Sequence, residues 1–287
     1  MILVADSGST KAHWNLVADD GSISHFETMG FNPLFIDTAG IIAELEKDFA
    51  PRLSAEKISN VYFYGASCSS DERKAIVAKA LQHIFPQSDV MVDHDMLAAA
   101  RALCGHKPGF AAILGTGSNT CYYDGNDIVE NIPALGYILG DEGSAAYIGR
   151  MLVRGFICKT MPLDLSEKFY ETYQLTKDDI FTAVYSKPLP NRFLAQFTTF
   201  ATRNMEQPFI ANILEQAFDD FFVNHICRYT KHTEYLVGFV GSVAYYHSDI
   251  LKRVAAKDSV TVGTIVKEPI TELTQYHINL LKSSPST

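Results

Sequence analysis

The sequence predicts an α/β protein in which one pattern is written twice, as two domains with a cleft between them. Three observations predict it. Each half reads β-β-β-α-β-α-β-α from its alternating apolar runs, its turn residues and its helical periodicity. Each half has a bend rich in Gly, Ser and Thr between its first two strands, "DSGSTK" and "GTGSN". Each half also places small residues just after its fourth strand, "YGAS" and "VGSV". Short hairpin cues make the early strands antiparallel, and strands separated by helices read as parallel.

In the first half, strand 2–5 turns through the Ser/Gly bend into strand 12–18, and "DDGS" leads to strand 22–28. The loop "GFNPLF" precedes a helix over about 38–50. Strand 58–64 runs into "GASCSS" and a helix over about 71–84; "DVMVDHD" is a short strand stopping at Asp95, and an alanine-rich helix covers 95–104. The second half repeats this with strands 110–114, 119–123 and 127–130, then a longer helical region. Strand 235–240, a helix over 243–256, a short strand 259–263 and a last helix over 269–282 close the chain. The joint falls at "CGHKPG", 104–109, where Gly and Pro interrupt the pattern. The expected domains are 1–107 and 108–287, the second with a helical insertion at about 150–205.

A chain of 287 residues, 47% apolar and 20% charged, can bury a sizeable core without disulfides or metal. A net charge of −9 argues against a nucleic-acid or anionic-membrane surface, which needs clustered Lys and Arg. It does not argue against a nucleotide, because backbone N–H groups and one or two cations can hold phosphates. Cys68, Cys104, Cys121, Cys158 and Cys227 include no C-x-x-C pair and read as free thiols in a reducing compartment. No basic n-region begins the chain and no apolar run approaches ~20 residues. The expected location is the cytoplasm.

The duplicated bends carry the functional argument. Two glycine-rich hairpins facing each other would offer many backbone N–H groups unobstructed by side chains, and such nests bind anions. Asp6 ends strand one; a carboxylate beside phosphates needs an intervening cation, and Mg²⁺ held through water suits it. Thr10 can donate to a phosphate oxygen and Lys11 can act as a point charge. A plain turn of small residues explains the same stretch as well. "ILGTGSN", 113–119, is weak alone and gains weight from its matching place in the repeat. Neither hairpin is a Walker A loop. Asp95, where a strand hands over to a helix, reads either as a helix cap or as a general base. Asp93 and His94 read as bystanders. "ALGYILGDEGSAAYIGRML", 134–152, surrounds Asp141 and Glu142 with glycines, as if the backbone comes close to something.

The ordered set "DSGSTK", "VDHDMLAAA", "ILGTGSN", "LGYILGDEGSAAYIG" and "GFVGSVA" resembles the N-acetylglucosamine kinase family, from about residue 2 to 256. That family is grouped with the activator ATPases of 2-hydroxyacyl-CoA dehydratases and benzoyl-CoA reductases, within the actin, heat-shock ATPase and sugar-kinase superfamily. The resemblance implies two ribonuclease H-like (actin-like ATPase) domains with ATP and Mg²⁺ bound in the cleft, an amino-sugar substrate and a homodimer. By position it implies that Asp6 is the Mg²⁺-associated acid. Ser7, Gly8, Ser9, Thr10 and Lys11 fall in the first phosphate motif, Gly115, Thr116, Gly117 and Ser118 in the second, and Gly241 and Ser242 in the adenosine motif. Asp95 matches the catalytic base, while Asn32, Asp95, Thr116, Gly117 and Asp141 match sugar contacts. Serines replace two glycines of the usual first motif, "FVGSVA" lacks the usual double glycine, and Ser67 to Ser70 match a second sugar contact only loosely. The expected reaction is ATP-dependent phosphorylation of N-acetylglucosamine at its 6-hydroxyl, with Asp95 as base. Two readings compete with it. One is an activator ATPase sharing an iron–sulfur cluster through Cys121 and Cys158; the other is a sugar-sensing protein without catalysis.

Overall fold

A computed structural model of the chain describes residues 1–8, 11–53 and 57–283. It divides into two compact units, Met1–Gly105 joined by the chain from Pro269 onward, and His106–Glu268.

In unit 1, β1 (Ile2–Ser7) runs mid-sheet, flanked by β2 (Lys11–Val17) and then β3 (Ile23–Met29), both antiparallel. On its other side lie β4 (Asn60–Gly65) and β5 (Asp89–His94), both parallel. The order is β3-β2-β1-β4-β5. The apolar run Leu3, Val4, Ala5 is fully buried, as a central strand covered on both faces requires. α1 (Thr38–Asp48) starts where the Asp37 carboxylate accepts from the Gly40 N–H, and α2 (Asp71–Ile84) where the Ser70 hydroxyl accepts from the Arg73 N–H. Trp14 fills the core between Phe49 and Phe63, at 4.7 and 5.6 Å between ring centroids, and its indole N–H donates to Thr28 Oγ1 at 2.9 Å. α3 (Asp95–Cys104) follows β5 directly and buries Met96 to Ala100.

Unit 2 repeats the sheet. β6 (Gly109–Leu114), β7 (Ser118–Tyr123), β8 (Ile128–Glu130), β9 (Val237–Val240) and β10 (Val262–Val266) take the order β10-β9-β6-β7-β8. The units part company between the third and fourth strands. Unit 1 has α1 there. Unit 2 has α4 (Gly136–Leu139), α5 (Ala145–Ile157), α6 (Leu163–Tyr173), α7 (Lys177–Tyr185), α8 (Pro190–Ala195), α9 (Thr198–Arg203) and α10 (Pro208–Asn224). The helical run is thus longer at both ends than the expected insertion of 150–205. Local signals start these helices: the Ser144 cap on α5, the Thr176/Asp179 capping box on α7, and proline at the start of α8 and α10. Gly149 lets α5 and α8 meet backbone to backbone, since a Cβ there would lie 1.9 Å from Leu194 O.

Two expectations after β9 need correction. The single helix over 243–256 is broken at His247 into α11 (Ser242–Tyr246) and α12 (Ser248–Lys257). The final strand lies at 262–266 rather than 259–263, because Ser259 takes a left-handed φ of 58° and prolongs the turn after α12. The domain division changes more. α13 (Ile270–Ser283) packs on α3, β1 and β2, so the last helix belongs to unit 1 and not to a second domain of 108–287. Ala98, Ala99 and Ala100 of α3 are buried, as are Leu273, Tyr276 and His277 of α13, which packs on α3. Polar bonds fix the register: Asn15 Nδ2 donates to Thr274 Oγ1 at 2.9 Å, and the Tyr64 hydroxyl lies 2.9 Å from His277 Nε2.

Candidate active site

In unit 1 the first hairpin is bound to the rest of the sheet by Ser7. Its side chain is fully buried, and its Oγ accepts from the Phe31 N–H at 3.0 Å. Its carbonyl accepts from the Ala66 N–H at 2.8 Å. The Ser7 hydroxyl is therefore turned inward, and it sets the "GFNP" loop beside the hairpin. Asn32 in that loop is buried and opens an Asx-type turn, its Oδ1 accepting from the Leu34 N–H at 3.0 Å and its carbonyl from the Phe35 N–H at 2.9 Å. Gly8 is exposed, Ser9 and Thr10 lie outside the described residues, and Lys11 ion-pairs with Glu27 of β3 at 2.6 Å. Asp6, near the end of β1, stands directly opposite His13 and beside Tyr64.

Asp95 is the first residue of α3, with His94 at the cap position. Its Oδ1 accepts from the Met96 N–H at 2.9 Å. Loss of solvent pushes its carboxyl above the usual carboxylate range, while His94 and the backbone N–H groups pull the other way. A carboxylate at a strand–helix corner, its proton affinity raised by burial, is suited to accept a proton. Asp93 pairs with Lys74 at 2.9 Å.

In unit 2 the second hairpin sits on the start of α5. The Ala145 and Ala146 N–H groups donate to Gly115 O and Thr116 O at 2.9 and 3.1 Å, so the hairpin satisfies the helix's orphan donors. Asp141 lies against the same hairpin. It has a left-handed φ of 57° and is buried, with Oδ1 3.5 Å from the Ser118 N–H, long for a hydrogen bond. A Cβ on Gly117 would come within 2.9 Å of Asp141 Oδ2. Burial raises the Asp141 carboxyl, the Ser118 N–H offsets part of this, and the Glu142 charge adds to it. Ser118 Oγ is buried with no partner among the described residues. Gly241 needs to be glycine: its φ is 122° and a Cβ would lie 2.3 Å from Leu114 O. Ser242 opens α11 and lines a cavity of about 350 Å³ with Thr198, Thr202, Arg203, Tyr246 and His247. Nothing in the sequence pointed to the α9 residues in that cavity. They carry no motif, and they come to Ser242 only through the packing of the helical run.

The structure thus groups Ser7, Gly8, Lys11 and Asn32 in unit 1, and Gly115 to Ser118 with Asp141 in unit 2. A solved Porphyromonas gingivalis chain, described as a "Putative N-acetylglucosamine Kinase", is 41% identical over 97% of this chain and 99% of its own, with a TM-score of 0.93. The chain belongs to the N-acetylglucosamine kinase family. A Chromobacterium violaceum protein described in the same words is 17% identical, covers 96% and 99% of the two chains and has a TM-score of 0.67. A Streptomyces griseus glucokinase of the ROK family, solved with glucose and AMPPNP, is 15% identical over 96% and 98%, at a TM-score of 0.54. These two share the actin-like sugar-kinase fold. No family model and no curated protein matches the chain. Membership of the kinase family sets aside the iron–sulfur activator reading. In this kinase Cys121 is fully buried in β7 and Cys158 is exposed after α5, a pair unlike a shared surface ligand set. Among the described residues no helix is long and apolar enough to cross a membrane.

Proposed function

We propose that this sugar kinase transfers the γ-phosphoryl group of ATP to the 6-hydroxyl of N-acetylglucosamine. The observation that carries the reading is Asp95, a carboxylate of raised proton affinity at the start of α3, within a chain so similar to the Porphyromonas gingivalis protein. The hydroxyl proton passes to the Asp95 carboxylate as the sugar oxygen bonds to phosphorus and the bond to the ADP oxygen breaks. Asn32 and Asp141 hold sugar hydroxyls or the acetamido group, and Thr116 and Gly117 border them. The Thr116 and Gly117 amides, with Gly8, Lys11 and the Ser118 hydroxyl, hold phosphates. The cavity lined by Ser242, Thr202 and Tyr246 takes the adenosine, beside Gly241.

Asp6 is the candidate for Mg²⁺. Among the described residues no cluster of His, Cys, Asp or Glu could cage a metal, and one carboxylate fits an ion held mainly by phosphates and water. Bound there, Mg²⁺ would neutralise phosphate charge, in a reaction that rests on positioning and electrostatics.

The test is ADP release from Mg·ATP with N-acetylglucosamine and a panel of other sugars, each against a control without sugar. Release that depends on N-acetylglucosamine, with phosphate found on its O6, is the expected result. Release indifferent to every sugar would mean an ATPase, and sugar binding without release would mean a sensor.

A further inference from the structure

Glu142 lies beside Asp141 yet turns the other way, toward the end of α10. Its Oε2 is 3.0 Å from His225 Nε2 and its Oε1 accepts from Asn224 Nδ2 at 3.3 Å. A carboxylate only accepts, so His225 donates from Nε2. His225 is buried, stacks on Phe221 at 5.4 Å between centroids, and its Nδ1 has no partner among the described residues. Gly143 closes the same joint. Its φ is 74°, and a Cβ would meet Phe221 Cβ at 3.0 Å. On the far side of the loop, Arg150 Nη1 donates to Tyr137 O at 3.0 Å. The segment 137–143 is thus tied at one end to α5 and at the other to α10. Asp141 sits between the ties, in a left-handed conformation with a φ of 57°.

We propose that Glu142, gripped by His225 and Asn224, is a positioning residue that holds Asp141 against the second hairpin and so sets affinity for the sugar. The proposal rests on the reading of Asp141 as a sugar contact. Glu142 itself turns to α10, where it bonds His225 and Asn224.

The experiment compares Glu142→Ala, Glu142→Gln, His225→Gln and Asp141→Asn in the whole protein. It measures KM for N-acetylglucosamine, KM for ATP and thermal stability. Glu142→Ala is expected to raise the sugar KM at least about 10-fold, the scale of a misplaced contact, with ATP KM within about 2-fold. Glu142→Gln, which keeps one acceptor, falls between Glu142→Ala and the parent, and His225→Gln, which keeps an N–H donor, stays near the parent. If Glu142→Ala does not fold, Glu142→Gln carries the test, because a smaller rise in sugar KM alone is still expected. Lower thermal stability with sugar KM unchanged would make the grip merely structural and overturn the proposal. If Asp141→Asn leaves sugar KM unchanged, the sugar reading of Asp141 falls and the proposal with it. If Asp141→Asn raises it while the Glu142 variants do not, only the positioning role falls.

Discussion

The two glycine-rich hairpins occupy the same place in a repeated sheet, yet different parts of the chain hold them. The first is tied by a buried hydroxyl, Ser7, to the loop after β3 and by its carbonyl to the turn after β4. The second is tied by its carbonyls to the first turn of α5 and touches Asp141. The cause is the connection between the third and fourth strands. In unit 1 it is a loop and one helix; in unit 2 it is a long helical run whose first full helix begins under the hairpin. Repetition of a sheet therefore conserves where a bend lies and leaves its support free to diverge.

The largest test of this division of labour is Asp95→Asn. It should lower turnover at least ~10²-fold, the low end for a lost general base, and leave ATP affinity unchanged. A rate near that of the parent would remove the chemistry from unit 1. Stability should separate the two units next. Gly241→Ala forces a Cβ against Leu114 O and should cost about 1–3 kcal/mol or more in denaturant unfolding. Among the described residues a Cβ on Gly8 meets an ordinary contact, 3.6 Å from Lys11 O, and Gly8→Ala should stay within about 0.5 kcal/mol. Equal losses would show that Gly8 is as crowded as Gly241.

Acid should weaken both units through buried imidazoles. Burial pulls His247 of unit 2 down to about 4, and burial with the Arg101 charge pulls His277 of unit 1 down to about 3. Both are held neutral, so their contribution is full above the unfolded value of about 6.5 and is lost as pH falls toward those values, at up to about 1.4 kcal/mol per pH unit each. Unfolding measured from pH 7 to 4.5 should show this slope, and His277→Gln should reduce it; an unchanged slope would mean that the folded imidazole is already charged. The smallest effect is expected of Glu27→Gln. The Lys11–Glu27 pair is exposed, so unfolding should barely change. Releasing Lys11 should tighten ATP by no more than about 2-fold, and a weaker ATP affinity would show that Glu27 holds Lys11 where it is needed.

Much of the fold was legible because its signals are local. Alternating runs placed the strands within a few residues, and the Ser70 and Ser144 caps stand where small polar residues precede helical periodicity. Asp95 was legible as a strand–helix junction. The inward turn of the Ser7 hydroxyl was not legible, because a serine in a bend looks the same whether it faces a ligand or a backbone N–H. The break at His247 was also hidden, since apolar periodicity continues through it.

By itself the sequence determined the duplicated succession of strands along the chain, the two small-residue bends and the acid at the start of α3, each of which follows from local patterning. Tertiary structure decided which unit receives the last helix, what braces each hairpin and what grips Glu142. Those outcomes join residues far apart in the chain, 259 positions for Asn15 and Thr274 and 83 for Glu142 and His225. Local periodicity records which face of an element is apolar, and only packing chooses the surface that covers it.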